Sequence, residues 1–264
     1  MSVPNLATFQ HDDEIRLHFI NVGFGDCILV QIHDEFILID YRSDLITNGY
    51  TYLSNYFEAA GLTTEVGILK KVIITHFHAD HFMGLDRILD TFDVDNNNVM
   101  ISPYRNTKNI KRLWTANAFL RRKSYEKIEM PKGTRLSKII NPFLELEIFN
   151  PTVESLRYYK RHSKGNPNNS SIGFILICKN NSGAEISRIL FPGDMQKVWK
   201  ENVQDINGDV SCDIYKCAHH GETKGTPDFL FDRMLSTKPI IAVAMDHEKN
   251  NQRCLFEKST ILNV

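Results

Sequence analysis

The sequence has little that would commit it to a membrane or to a cross-linked scaffold. No run approaches the roughly 20 consecutive apolar residues that span a bilayer. Met1–Asp13 is polar and acidic rather than signal-like. The expectation is therefore a cytoplasmic protein with no membrane segment. Cysteine is sparse, five residues (Cys27, Cys178, Cys212, Cys217 and Cys254) with no C-x-x-C among them. An odd count without that spacing leaves no basis for a disulfide framework. Cys27 and Cys178 lie inside apolar runs and read as buried thiols. Cys217 stands two residues before His219, so a ligand reading sits beside the more ordinary one of core packing. Excess charge of either sign is missing too: the formal net charge is −1, so the molecule as a whole carries no polyanion signature. There is no G-x-S-x-G elbow to suggest a serine nucleophile.

What is there is ordinary in bulk and unusual in places. The 264 residues, 42% hydrophobic and 24% charged, suit one large α/β domain with a substantial core. The unusual stretch is Lys70-Lys71-Val72-Ile73-Ile74-Thr75-His76-Phe77-His78-Ala79-Asp80-His81. Its apolar run reads as a buried strand, and four potential metal ligands follow within six residues. Imidazole nitrogen with carboxylate oxygen is the donor set of a zinc-class cation. In extended chain His76 and His78 point to the same side. Asp80 and His81 open a helical pattern (Phe82, Leu85, Ile88, Leu89), so the turn can aim them at a second, adjacent position. The competing reading is a histidine-rich surface turn. The position at a strand end, before Gly84, argues against it.

T-H-F-H-A-D-H resembles the H-x-H-x-D-H signature of the metallo-β-lactamase-fold hydrolases. The resemblance implies that His76 and His78 serve a first metal, and Asp80 and His81 a second. Ile15–Ile20 alternates as a strand and leads into Asn21-Val22-Gly23-Phe24-Gly25-Asp26-Cys27. Strands from Cys27 to Ile32 and from Glu35 to Asp40 then form a hairpin through His33-Asp34. This opening resembles the hydrolase domain of competence-type DNA-uptake channels, with Phe24 in place of the usual Gln and Cys27 in place of Ser. Asp26 and Asp40 then have two readings: a plain turn or strand-end aspartate, or an outer-shell partner that holds a metal-bound histidine by its second nitrogen.

Later motifs follow in the family's order. Phe191-Pro192-Gly193-Asp194 resembles L-F-x-G-D, whose carboxylate bridges both metals. The rival for Asp194 is a cap on a helix expected from Met195 to Val203. Cys217-Ala218-His219-His220-Gly221 resembles the competence-type H-H-G segment, with Glu222 where Ser is usual. By that likeness His219 is the remaining ligand of the second metal, and His220 lies near the scissile bond to protonate a leaving group or hold a phosphate. N-N-S-S-I-G-F-I-L stands where many relatives place a third histidine for the first metal. Here there is none, and Asn169 or the offset His162 are the candidates to complete that site. The usual later histidine has only His247 as a counterpart.

The charge distribution supplies the other signal. Between Tyr104 and Lys138 stand eleven basic residues, opposed only by Glu126 and Glu129. Leu113, Trp114, Ala116, Ala118, Phe119 and Leu120 suggest that this insertion, at about 104–138, is an amphipathic helix. Arg105, Lys111, Arg112, Arg121, Arg122 and Lys123 are then candidate substrate-binding residues for phosphates, with Tyr104, Trp114 and Tyr125 available for stacking. A solvated helix face is the bland alternative.

The expectation is an α/β (α+β) chain, a single domain over 1–264 with a metallo-β-lactamase-like four-layer αββα sandwich of two mixed sheets. It holds two divalent metal ions, zinc or manganese. Two such ions about 3.5–4 Å apart lower the pKa of a shared water to near 7 and stabilise attacking and leaving oxygens together. Asp80 or Asp194 orients that hydroxide. The function expected is metal-dependent hydrolysis by a phosphodiesterase or nuclease with nucleic acid or another phosphodiester as partner. The alternatives are a small-substrate hydrolase (cyclic nucleotide, lactone or thioester) and a nucleic-acid-binding module with a degenerate metal site.

Overall fold

The structure is a computed structural model and describes residues 14–23, 25–32, 35–43, 49–62, 67–92, 94, 96–103, 125–162, 167–196, 198, 209–222, 224–234, 241–243 and 260–263. Short apolar segments rich in Ile, Val, Leu and Phe fill most of them, and these are strand formers. β1 (Ile15–Phe19), β2 (Ile28–Ile32) and β3 (Glu35–Ile39) make an antiparallel meander in which Ile28 lies opposite both Phe19 and Ile39. β4 (Leu69–Ile74), β5 (Val99–Ile101) and β6 (Glu126–Lys127) extend it in parallel. The second sheet is built from β7 (Leu136–Asn141), β8 (Leu144–Asn150), β9 (Gly173–Lys179) and β10 (Glu185–Phe191), all antiparallel. Parallel strands β11 (Ile214–Lys216) and β12 (Ile241–Val243) follow at its far edge. A last strand, β13 (Thr260–Asn263), returns to pair with β1. The spatial orders are β13-β1-β2-β3-β4-β5-β6 and β12-β11-β10-β9-β8-β7.

Side-chain alternation decides the layers. Ile28, Val30, Ile37, Ile39 and Ile73 from the first sheet meet Ile148, Phe174, Leu176, Ile189 and Phe191 from the second. The opposite faces carry their own cores. Leu29, Phe36, Leu38, Val72 and Ile74 pack under the helices α1 (Gly49–Ala59), α2 (Ala79–Phe82) and α3 (Leu85–Thr91). Between the second sheet's outer face and its cover, Ile175, Leu190 and Tyr215 pack with Leu230 and Met234 of α5 (Asp228–Met234); α4 (Val153–His162) lies before β9 in the chain. α1 buries Leu53, Tyr56 and Phe57, the spacing of a single helical stripe. The result is the expected four-layer sandwich of two mixed sheets. No helix among the described residues is long and apolar enough to cross a membrane.

Three expectations are corrected. The helix expected from His81 to Thr91 is two, α2 and α3, because Gly84 takes φ +86 and the Met83 carbonyl accepts from Ser43 N–H at 2.9 Å. A side chain at Gly84 would stand 3.0 Å from the Ser43 carbonyl. The apolar run Ile240–Met245 reads from the sequence as a last strand, but β13 follows β12 in the chain. The insertion is not helical through to residue 138. Its end runs as β6, an isolated bridge from Met130 to Thr152, and β7, because Ile128 and Met130 are buried between the sheets. Lys138 there pairs with Glu126, and Arg135 with Glu147. Arg105, Lys111, Arg112, Arg121, Arg122 and Lys123 lie outside the described residues, as do His247 and most of the helix expected from Met195.

Candidate metal centre

The candidate ligands converge because each follows a strand whose end faces the same rim. Thr75 through His81 leave β4, Asp26 and Asp40 follow β1 and β3, Asp194 follows β10, and His219 and His220 follow β11. Backbone hydrogen bonds tie these turns to one another. Asp26 N–H donates to the Asp80 carbonyl (3.1 Å), Tyr41 N–H to that of His81 (2.9 Å) and Ile172 N–H to that of Thr75 (2.8 Å), while His219 N–H donates to the Gly193 carbonyl (3.2 Å). Gly25 sits so close that an added Cβ would run into the Asp80 carbonyl oxygen and the Arg42 side chain, and its φ is +144. That explains the glycine in the Gly-x-Gly turn.

One carboxylate oxygen stands at the middle. Asp194 Oδ2 is 3.3 Å from His81 Nε2, 3.5 Å from His76 Nε2, 3.5 Å from His220 Nε2 and 3.9 Å from His219 Nε2. Two groups with metal-ligand spacing share it: His76, His78 and Asp194, and Asp26, His81, Asp194 and His220. Asp80 joins the second group, with Oδ2 3.8 Å from His81 Nε2 and 3.6 Å from His220 Nε2. His76, His81 and Asp194 are fully buried, at 0%, 0% and 1% exposure. His81 Nε2 and Asp194 Oδ1 make no hydrogen bond among the described residues. A native interior rarely leaves such atoms unsatisfied, and a divalent cation would satisfy both.

The surroundings fix the imidazoles. Asp40 accepts from Thr75 N–H and Thr75 Oγ1, both at 2.7 Å, and its Oδ2 lies 2.8 Å from His81 Nδ1. His81 Nδ1–H therefore donates outward and Nε2 is presented to the site. His220 is oriented likewise, with Nδ1 3.1 Å from Asp26 Oδ1. Asp40 and Asp26 thus each stand within hydrogen-bond reach of one imidazole Nδ1, that of His81 and that of His220.

The electrostatics ask for positive charge. Burial disfavours a charged His81, yet the Asp194, Asp40 and Asp80 carboxylates raise it well above the ordinary histidine range. Burial likewise opposes His220, and Asp26 and Asp194 push it up to about 10. Burial would raise Asp194, but His81, His220 and His76 hold it well below the usual carboxylate range. His76 and His78 are lowered by burial, toward the neutral imidazole that ligation requires.

The structure refines three sequence-based assignments. His220, not His219, reaches Asp80 and His81. His219 turns to the other side, its Nδ1 2.7 Å from the Gln196 amide and 3.0 Å from Glu222, its Nε2 3.2 Å from Asn168. Both histidines take positive φ, 49 and 57, a backbone state that sequence spacing does not reveal. Asn169 is turned from the first site, because its Oδ1 accepts from Gln196 N–H at 2.9 Å. Nothing is described of the His162 side chain. Asp194 caps no helix among the described residues. Sequence reasoning missed Thr75, Asn168, Gln196 and Lys216. Lys216 shares the inward face of β11 with Ile214, but its partner Asp26 stands 190 residues away, so nothing local marks it as part of the site.

A protein-family model described as "Anti-Pycsar protein Apyc1" matches residues 16–223. The chain belongs to this family. The match spans every ligand candidate named above except His247, which lies beyond it. This match does not show the competence-type likeness of the sequence. No curated protein matches the chain. Among solved structures, the metallo-β-lactamase-fold protein YhfI from Bacillus subtilis is similar at 14% identity and TM-score 0.43, over 81% of this chain and 75% of that one. Human tRNase Z, short form, gives 16% and 0.45 over 76% of each chain. Igni18, a metallo hydrolase from the archaeon Ignicoccus hospitalis, gives 14% and 0.42 over 94% and 98%.

Proposed function

We propose that this chain is a metal-dependent hydrolase acting on phosphodiesters. The observation that carries the reading is Asp194, shared by two ligand groups and flanked by buried atoms that have no hydrogen-bond partner among the described residues. His76, His78 and Asp194 would hold one divalent ion; Asp80, His81, His220 and Asp194 would hold the other, zinc or manganese. When bound, such a pair supplies Lewis acidity and lowers the pKa of water to near 7. The chain's own residues do the rest. Asp40 and Asp26 keep two imidazoles aimed inward. Asp80, whose side chain is 14% exposed, stands at the mouth and orients the attacking water. His219, 19% exposed, stands on the open side with Glu222 behind its Nδ1, placed to give a proton to the leaving oxygen.

Phosphate is favoured over carbonyl substrates by the basic stretch that includes Arg105, Lys111, Arg112, Arg121, Arg122 and Lys123. Its chemistry suits anionic oxygens. A second reading, a small cyclic nucleotide rather than a polymer, draws on the depth of the site, where His76, His81 and Asp194 are buried and His78, Asp80, His219 and His220 are only partly exposed. The test loads purified protein with zinc or manganese and offers bis(p-nitrophenyl) phosphate, single- and double-stranded DNA and RNA, cyclic mononucleotides, a lactone and a thioester. Phosphodiester cleavage that vanishes in Asp80→Ala supports the proposal. Binding of nucleic acid without cleavage, or turnover of the lactone or thioester alone, would overturn it.

A further inference from the structure

Lys216 is the last residue of β11 and is buried, at 1% exposure. It points between the sheets, on the same side as Ile214, into an otherwise apolar layer. An ammonium left alone there would be costly. Its Nζ instead forms an ion pair with Asp26 Oδ2, across the gap from the turn that follows β1. The pair joins residues 190 apart in sequence and links the two sheets directly beneath the ligands.

Asp26 falls within ligand distance of His81, Asp194 and His220. Spacing alone groups it with them, although it approaches His81 and His220 at Nδ1 rather than Nε2. Its two oxygens are nevertheless engaged elsewhere, Oδ2 by the Lys216 ammonium and Oδ1 by His220 Nδ1 at 3.1 Å. His220 needs that partner, because it follows His219 in a turn where two successive non-glycine residues take positive φ. Such a backbone state is strained for a residue with a side chain, so the turn persists only where its contacts outweigh that strain.

We infer that Lys216 is a positioning residue for the candidate metal centre: its buried ammonium keeps Asp26 out of the metal's coordination shell and holds it as the hydrogen-bond partner that aims His220 inward. This rests on the reading of the cluster as a metal site but not on the choice of substrate. The test is therefore metal spectroscopy rather than turnover. The full chain is loaded with cobalt(II), whose ligand-field absorption reports its donor set. In Lys216→Met the Asp26 carboxylate is released, and the absorption bands shift. In the double variant Asp26→Asn/Lys216→Met no charge is left unpaired and the amide oxygen still accepts from His220 Nδ1–H, so the wild-type bands return. A Lys216→Met protein with wild-type bands, whatever its melting temperature, would show a merely structural lysine and overturn the inference. Should Lys216→Met fail to fold, an anomalous-scattering map of the cobalt-loaded wild type decides: Asp26 off the ion supports the inference, and a cobalt–Asp26 bond refutes it. A wild type that takes up no cobalt would reject the metal reading itself.

Discussion

Both oxygens of Asp40 are engaged on the turn they face, and this makes His81 the most tightly directed imidazole of the centre. Asp40→Ala should weaken metal binding about 10–100-fold, read by competition with a chromophoric chelator. Unchanged affinity would remove Asp40 from any orienting role. Asp80→Ala should abolish turnover with the melting temperature nearly kept, since Asp80 is only part buried and its backbone carbonyl, not its side chain, ties the turns. Far from the centre, His18 is buried with Nε2 3.2 Å from Gln31 and Nδ1 3.3 Å from Tyr52. Burial lowers its pKa from 6.5 to about 4. The folded state thus resists a proton that the unfolded chain accepts. The stability involved is present above pH 6.5 and is lost as pH falls toward 4, in total about 3 kcal/mol. Urea titrations from pH 7 to 4.5 should show His18→Gln losing stability less steeply than wild type; parallel curves would reject this. At this scale the H-x-H-x-D-H candidates were legible because six consecutive residues and one strand end define them. Lys216 and the approach of His220 to Asp80 were not, because an ion pair across 190 residues and two positive φ angles leave no local pattern.

Elements were legible where apolar residues run on without a break, as in β2, β3 and β9, or alternate, as in β8, whose register follows from which face must be buried. They were less so where an element is short or broken. Met83 and Gly84 interrupt a helical period that Phe82, Leu85, Ile88 and Leu89 carry straight through, and only the Ser43 contact reveals the break. Strands of two to four residues such as β6 and β13 owe their existence to the neighbour they pair with. The turn after β1 illustrates how element packing reaches the chemistry. Gly25 lies against the Asp80 backbone, so a methyl there must displace the ligand loop. Gly25→Ala should cost about 1–3 kcal/mol by denaturant titration and should lower bound metal at equal free concentration. Destabilisation with metal content intact would show that the contact serves folding alone.

At the scale of the molecule, the sandwich brings together two sets of site side chains that neither sheet holds alone. Asp26, Asp40, His76, His78, Asp80 and His81 come from the seven-stranded side; Asp194, His219, His220 and Lys216 come from the six-stranded side. The order of the motifs implied this meeting through resemblance; no periodicity within one strand could. A cation held by both sets joins the sheets as well as serving a reaction, and binds only when they are packed. Its removal should therefore register as lost stability. With free metal at about 100 times its Kd the folded state gains about 2.7 kcal/mol, equivalent to about 5–10 °C in melting temperature for a chain of this size. Scanning calorimetry before and after chelation should show that fall in the wild type. In Asp194→Asn, where the shared oxygen is no longer anionic, the two scans should nearly coincide. A metal-loaded wild type whose melting is indifferent to the chelator would mean that the two sheets are not bridged through these residues.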